Sequence, residues 1–196
     1  MTLRLRQTLQ QERAADLADR VRRLLGPFTG TEAALDSGCG TGAPDNVRFV
    51  EGDATALPFE YGEFDIAACL RVLHHIRRPE LAVSELARVA RSGGRVFIAD
   101  QLGSVDPLRS LEMDRFERLR DDSHQRLLPD ADIRGYLDAN DLVLVSSEVT
   151  RERVDLERRL ELAELPEEER VKIRGSAPAA PYDVEIGWYV ARKSGP

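Results

Sequence analysis

The chain has 196 residues, a net charge of −7, 42% hydrophobic residues and 32% charged residues, as expected for one ordinary globular domain over residues 1–196. The negative charge disfavours nucleic acid and anionic membranes as partners, and no apolar run approaches the ~20 residues of a membrane span. Two cysteines, Cys39 and Cys69, make no disulfide framework. The first residues lack the apolar core of a signal peptide, so we expect a cytoplasmic protein.

The first predicted element is an amphipathic helix over Thr2–Leu25. Apolar residues recur at helical spacing at Leu17, Val21 and Leu24, and the following Gly-Pro pair would end the helix. Residues 1–27 are therefore predicted to form an N-terminal helical segment, which either lies over a ligand cleft or only packs on the rest of the domain.

Residues 33–42, Ala-Ala-Leu-Asp-Ser-Gly-Cys-Gly-Thr-Gly, predict a short buried strand that ends at Asp36 and enters a glycine-rich turn. Glycines at alternate positions allow a tight turn and the close approach of a ligand. The spacing fits neither a Walker A loop nor the dinucleotide motif G-x-G-x-x-G. It resembles the first motif of class I S-adenosylmethionine (SAM) dependent methyltransferases. The resemblance implies that the methionine end of SAM is bound by Asp36, Gly38, Cys39, Gly40 and Gly42.

The segment after this loop is too short for the family's pattern. In the family a helix, a second strand and a second helix follow, whereas here only residues 43–46 precede Val47–Glu51, which predicts a strand. A helical crossover needs ~10–12 residues or more. Three explanations stay open: a loss from the gene, an edited chain, or a segment omitted from the sequence. The family's ribose-binding acidic residue lies in the missing part. We hypothesise that the strand Val47–Glu51 lies beside Ala33–Asp36 and brings Glu51 or Asp53 near the ribose position.

Residues 51–59, Glu-Gly-Asp-Ala-Thr-Ala-Leu-Pro-Phe, resemble the next motif of the family. The resemblance implies a cofactor site that includes Glu51, Asp53 and Ala54, with Asp53 accepting a hydrogen bond from the adenine amino group. The alternative is that Asp53 only caps a turn before Thr55.

The run Ile66–Leu70 predicts a strand buried on both faces. Ligands of open α/β sheets bind at the carboxyl ends of the strands, which places Leu70 and Arg71 beside the cofactor and His74 and His75 near the reacting groups. A histidine there could act as a general base. The alternative is that it hydrogen-bonds backbone and orders the loop. Paired histidines also occur in metal sites, but no cysteine or carboxylate lies at ligand spacing, so no metal is predicted.

The second half of the chain predicts alternating helices and strands. In the family an insertion covers the substrate, and residues 104–128 correspond to it here, so His124 is a third candidate catalytic residue; the alternative is a solvated loop histidine. A second insertion, residues 152–183, separates the last two strands, which are expected to pair antiparallel. The predicted elements are helices from Pro79, over Ser104–Arg120, Pro129–Asn140 and Asp155–Lys172, and strands over Val96–Asp100, from Leu142 and over Glu185–Arg192.

The resemblance implies an α/β fold: a Rossmann-like, mostly parallel sheet with an antiparallel last strand, lacking the usual second strand and its flanking helices. It is strongest to the ubiquinone and menaquinone biosynthesis methyltransferases and implies direct methyl transfer from SAM to a small-molecule acceptor. A second hypothesis is a non-catalytic binding or scaffold protein with an impaired SAM site. A nicotinamide oxidoreductase is the third and weakest. The shortened sheet leaves an open edge, which predicts a homodimer.

Overall fold

The computed structural model describes residues 16–39, 48–163, 165–177 and 182–195. The elements, in chain order, are α1 (residues 16–25), β1 (Ala34–Ser37), β2 (Phe64–Leu70), a 3₁₀ turn (Leu73–His75), α2 (Pro79–Val89), β3 (Ala90–Gln101), α3 (Pro107–Arg120), α4 (Asp130–Asp138), β4 (Leu142–Val154), α5 (Leu156–Ala163), α6 (Glu167–Ser176) and β5 (Tyr182–Lys193). The predicted N-terminal helix is thus confirmed from residue 16 onward, and its earlier part lies outside the described residues.

The strands of the described chain form one five-stranded sheet in the order β1-β2-β3-β5-β4. β1 is parallel to β2 and β2 to β3, whereas β5 is antiparallel to both β3 and β4. Four strands therefore run in one direction and the last strand of the chain runs in the other. This confirms the predicted fold class, a Rossmann-like sheet that lacks the usual second strand within the part of the chain described.

Helices cover both faces of the sheet, because the central strands carry apolar side chains on each face. On one face, α2 and α4 enclose a core that includes Val96 and Tyr189. On the other face, α1, α3, α5 and α6 enclose a core that includes Phe97 and Trp188. Successive residues of a strand point to opposite faces, which explains why Trp188 and Tyr189 belong to different cores. The result is a three-layer sandwich.

The predicted strand Val47–Glu51 is wrong. Residues 48–52 have no regular secondary structure, Val47 lies outside the described residues, and β1 pairs with β2 alone among the described strands. Phe49 and Val50 stay 52% and 44% exposed. A parallel strand is stable when helices bury both of its faces, and the shortened segment supplies no helix in its described part to do so. The apolar pattern of this segment therefore does not produce a strand.

The predicted helix Asp155–Lys172 is two helices, α5 and α6. Pro166 lies between them and its φ of −56° and ψ of 148° place it in an extended conformation at the start of α6. Proline has no backbone N–H and disfavours a helical residue before it, so the helix cannot run through this position. Both helices lie in the second predicted insertion. No helix in the described ranges is long and apolar enough to cross a membrane.

Candidate active site

The carboxyl ends of β1, β2 and β3 lie side by side at one edge of the sheet. Ser37 is in register with Cys69, and Leu70 with Ala99. The residues that follow each strand therefore meet at this edge, as in other open α/β sheets. The predicted site residues Asp36, Arg71 and His74 are all brought to it.

The turn after β1 depends on glycine at position 38. Gly38 has a φ of +86°, and a Cβ built on it would lie 2.4 Å from Val72 Cγ2. A side chain there is disfavoured by both the backbone conformation and the contact. The turn therefore brings bare backbone against the segment that follows β2. Gly40 and Gly42 lie outside the described residues.

Asp36 and Cys39 flank this turn. Asp36 lies on the exposed side of β1, yet the surrounding protein atoms desolvate its carboxylate and raise its pKa from 3.8 to about 6. The exposed Cys39 thiol has a raised pKa, first through desolvation and second through the negative charge of Asp36. The carboxylate of Asp36 is thus a poorly solvated anion next to the glycine turn.

Asp53 caps a turn, as the structural alternative predicted. Its Oδ1 accepts hydrogen bonds from the backbone N–H and the hydroxyl of Thr55, both at 2.8 Å, and these bonds lower its pKa. Its Oδ2 makes no contact of this kind within the described chain. Ala54 packs against the core and Glu51 is exposed. The cofactor roles of these residues stay predictions, and the strand that was to carry Glu51 is not formed.

Arg71 has a left-handed backbone conformation, with a φ of 57°. Its N–H donates to the carbonyl of Ala99 at 2.7 Å, which closes the end of β2 against β3. Its guanidinium forms an ion pair with Glu152, which projects from the far end of β4. Leu70, just before it, is half-buried against the core. A non-glycine residue with positive φ is uncommon and often marks a functional turn.

His74 and Asp100 form a hydrogen-bonded pair in the centre of the site. Asp100 is 1% exposed at the end of β3. Its Oδ1 contacts His74 Nδ1 and accepts from the Gln101 N–H at 2.7 Å, and its Oδ2 accepts from the His74 N–H at 3.1 Å. A carboxylate that holds one imidazole nitrogen fixes the tautomer and leaves the other nitrogen as a base.

His75 lies against His74, with ring centroids 4.0 Å apart. Its Nδ1 is 3.0 Å from Ser123 Oγ, which in turn donates to Asp121 Oδ1 at 2.6 Å. Burial and, second, the neighbouring His74 lower the pKa of His75 from 6.5 to about 4. His75 is therefore neutral near pH 7.

His124 is buried rather than solvated, which contradicts the alternative reading of this residue. It is 4% exposed, its ring lies 5.8 Å from that of His74, and its Nε2 is 2.8 Å from Asp114 Oδ1 on α3. The same carboxylate oxygen accepts from the Leu127 N–H at 2.8 Å. His124 and Asp114 thus hold the loop that follows α3 against that helix, and a catalytic role for His124 stays a prediction.

The three predicted histidines are brought together, but the sequence did not identify their acidic and hydroxyl partners. Asp100 could have been found, since it ends a predicted strand on the ligand side. Asp114, Asp121 and Ser123 lie in the insertion that returns over the sheet, and no sequence spacing links them to the histidines. The 121–126 loop is tied down where His74 O accepts hydrogen bonds from the N–H groups of the residues at 125 and 126.

Residues 41–98 match the model of a family described as Methyltransferase domain. YcgJ of Bacillus subtilis, named an uncharacterized methyltransferase, is 40% identical over 82 residues, which are 42% of this chain and 32% of YcgJ. The ubiquinone/menaquinone biosynthesis C-methyltransferase UbiE of Hahella chejuensis is 30% identical over 113 residues, 50% of this chain and 44% of that protein. The matches span less than half of the length of these curated relatives.

Solved structures share the fold over more of the chain. BH2331 of Bacillus halodurans matches with a TM-score of 0.81 at 21% identity, over 92% of this chain and 100% of that chain. The structure of YcgJ matches with a TM-score of 0.67 at 23% identity, over 78% of this chain and 73% of that chain. Together these findings confirm the resemblance to class I methyltransferases that the sequence motifs indicate.

Proposed function

We propose that this chain, a relative of the class I methyltransferases, uses SAM to methylate a small-molecule acceptor. The observation that carries the proposal is the His74–Asp100 pair, which lies at the ligand-binding edge of the sheet beside the glycine turn. In this proposal His74 is the general base, and it lies where ligands bind in this fold.

The residues around the glycine turn fit such a cofactor. Gly38 leaves bare backbone where a Cβ would collide with Val72, and the desolvated Asp36 carboxylate supplies a negative charge for a cationic ligand. When bound, SAM supplies an electrophilic methyl group whose leaving group is a neutral thioether. In the described part of the chain, Asp36, Gly38 and Cys39 would hold its methionine end.

The role of His74 follows from its hydrogen bonds. With Nδ1 held by Asp100, its Nε2 takes the proton from an O–H or N–H acceptor as the acceptor atom becomes nucleophilic. The buried carboxylate of Asp100 then stabilises the positive imidazolium.

A second candidate is a non-catalytic relative with an impaired SAM site. The observation that favours it is that residues 48–52 form no strand, so this segment places no acidic residue in a strand beside β1. Loss of hydrogen bonds to a ligand lowers affinity by about ten-fold for each charge-assisted bond. Pairing of two copies along the open edge of β1 is part of this proposal, and light scattering at micromolar concentration would test it.

Calorimetric titration of S-adenosylhomocysteine into the purified chain separates the two candidates. We expect micromolar binding with one site per chain, and we expect the Gly38→Ala variant to bind more weakly. An absence of binding at millimolar ligand would reject the enzyme and favour the non-catalytic relative.

A further inference from the structure

The imidazole of His74 presents one unprotonated nitrogen. A neutral histidine carries its single ring proton on either Nδ1 or Nε2. A carboxylate is only an acceptor, so the contact with Asp100 places the proton of His74 on Nδ1. Its Nε2 is then a hydrogen-bond acceptor, and no partner for it lies in the part of the chain described.

The imidazole of His75 has the same tautomer, for a different reason. The hydroxyl of Ser123 has one proton, which it donates to Asp121 Oδ1 at 2.6 Å. The 3.0 Å contact between Ser123 Oγ and His75 Nδ1 must therefore take its proton from Nδ1. The Nε2 of His75 is also an acceptor, and the described residues give it no donor.

The two acceptor nitrogens thus belong to neighbouring rings. The rings are 4.0 Å apart between centroids and tilted by 45°, and the side chain of His74 keeps 16% of its surface exposed. Each Nε2 lies close to the centroid of its own small ring, so the separation of the centroids brings both nitrogens within reach of one small molecule. Neither nitrogen can satisfy the other, since both lack a proton.

We propose that the acceptor substrate carries two neighbouring hydrogen-bond donors, as a 1,2-dihydroxyarene does, and that His74 Nε2 and His75 Nε2 each accept one of them. The proposal deepens the proposed function and rests on it. His74 takes the proton of the group that is methylated, and His75 accepts a hydrogen bond from the neighbouring group. His75 is then a specificity-determining residue. Ser123 and Asp121 are positioning residues, because their hydrogen bonds keep the proton of His75 on Nδ1.

The lowered pKa of His75 supports this division of roles. A neutral His75 remains an acceptor while His74 is protonated, and it adds no second positive charge beside the imidazolium. A molecule with one donor leaves one of the two nitrogens without a partner, at a cost of about ten-fold in affinity.

The test compares the binding of catechol and phenol to the full chain by calorimetry or by ligand-observed NMR. We expect catechol to bind about ten times more tightly than phenol. His75→Phe should abolish that preference, whereas His74→Phe should weaken the binding of both probes. Ser123→Ala should reduce the preference without removing an atom of the proposed contact, and ¹⁵N NMR should show its His75 proton redistributed between the two ring nitrogens.

Equal affinities of the natural chain for the two probes, no catechol binding at millimolar concentration, or an unchanged preference in a folded His75→Phe variant would each overturn the proposal. Thermal unfolding followed by circular dichroism establishes that the variants are folded. Because the probes are tested without cofactor, a failure here is distinct from a failure to bind S-adenosylhomocysteine, which bears on the proposed function alone.

Discussion

Substitution of Gly38 by alanine tests the physical basis of the glycine turn. At this position the backbone φ is +86°, and the new Cβ would lie 2.4 Å from Val72 Cγ2 and 3.0 Å from its Cγ1. A left-handed conformation costs a residue with a side chain about 1–2 kcal/mol, and forcing an extra methyl group into a packed contact costs about 1–3 kcal/mol. We therefore expect Gly38→Ala to lower the free energy of unfolding by about 2–5 kcal/mol.

A matched control separates the two contributions. Gly26 also has a positive φ, of +74°, but nothing lies within 4 Å of its added Cβ, so Gly26→Ala should cost only the backbone contribution of about 1–2 kcal/mol. In the double variant Gly38→Ala/Val72→Ala the methyl groups that collide are gone. The two substitutions should then be non-additive, with the double variant more stable than the sum of the single effects predicts.

The assay is urea unfolding followed by circular dichroism, with S-adenosylhomocysteine affinity measured on the same samples. Val72 immediately precedes the 3₁₀ turn that carries His74, so a displaced Val72 should disturb the site as well as the fold. The reasoning is refuted if Gly38→Ala costs no more than Gly26→Ala, or if the Gly38 and Val72 substitutions are additive.

Three further predictions concern polar side chains of the site and the core. Asp100→Asn should lower the rate of methyl transfer by about 10²–10⁴-fold, because the tautomer of His74 is no longer fixed. The affinity for S-adenosylhomocysteine should change by no more than a few-fold. A ¹⁵N NMR spectrum that shows the same His74 tautomer in the variant would contradict this prediction. Folding raises the pKa of Asp36 from 3.8 to about 6, so the folded chain binds that proton more tightly than the unfolded chain and loses stability as the pH rises from about 4 to about 6. Asp36→Asn should therefore gain more stability over the natural chain at pH 7 than at pH 4, and equal gains in urea midpoint at the two values would disprove it. Within the described residues, the buried Tyr182 hydroxyl has no hydrogen-bond partner, whereas the Tyr189 hydroxyl donates to Asp130 Oδ1 at 2.7 Å. Tyr182→Phe should therefore be neutral or stabilising in urea unfolding and Tyr189→Phe destabilising by about 1–2 kcal/mol; the reverse order would refute the assignment.

Most of the sheet could be predicted from local patterns. Ile66–Leu70 and Val96–Asp100 are apolar runs of strand length, and both lie within strands of the structure. The antiparallel pairing of the last strand followed from the resemblance and is confirmed. These predictions hold because a strand buried on both faces needs an unbroken apolar run, whatever its neighbours are.

The wrong prediction has a tertiary cause. Val47–Glu51 has the apolar content of a strand. A strand also needs a neighbouring strand to pair with and helices to bury its faces, and the described part of the shortened segment supplies no such helix. Phe49 and Val50 are left exposed as a result. The predicted helix Asp155–Lys172 failed for a local reason instead, since Pro166 was visible in the sequence and a proline in a helix interior breaks the helix.

The sequence alone determined the turn at Gly38 and the buried strands, because turn conformation and strand burial depend on residue type and local order, and its resemblance to a known family implied the fold class. Only the tertiary structure decided which groups those histidines meet. His74 contacts Asp100, 26 residues away, because β2 and β3 are neighbours in the sheet, and His75 contacts Ser123, 48 residues away, because the segment after α3 returns over the sheet edge. Such contacts depend on strand order and loop path, which no local spacing encodes, and the roles proposed for the three histidines rest on them.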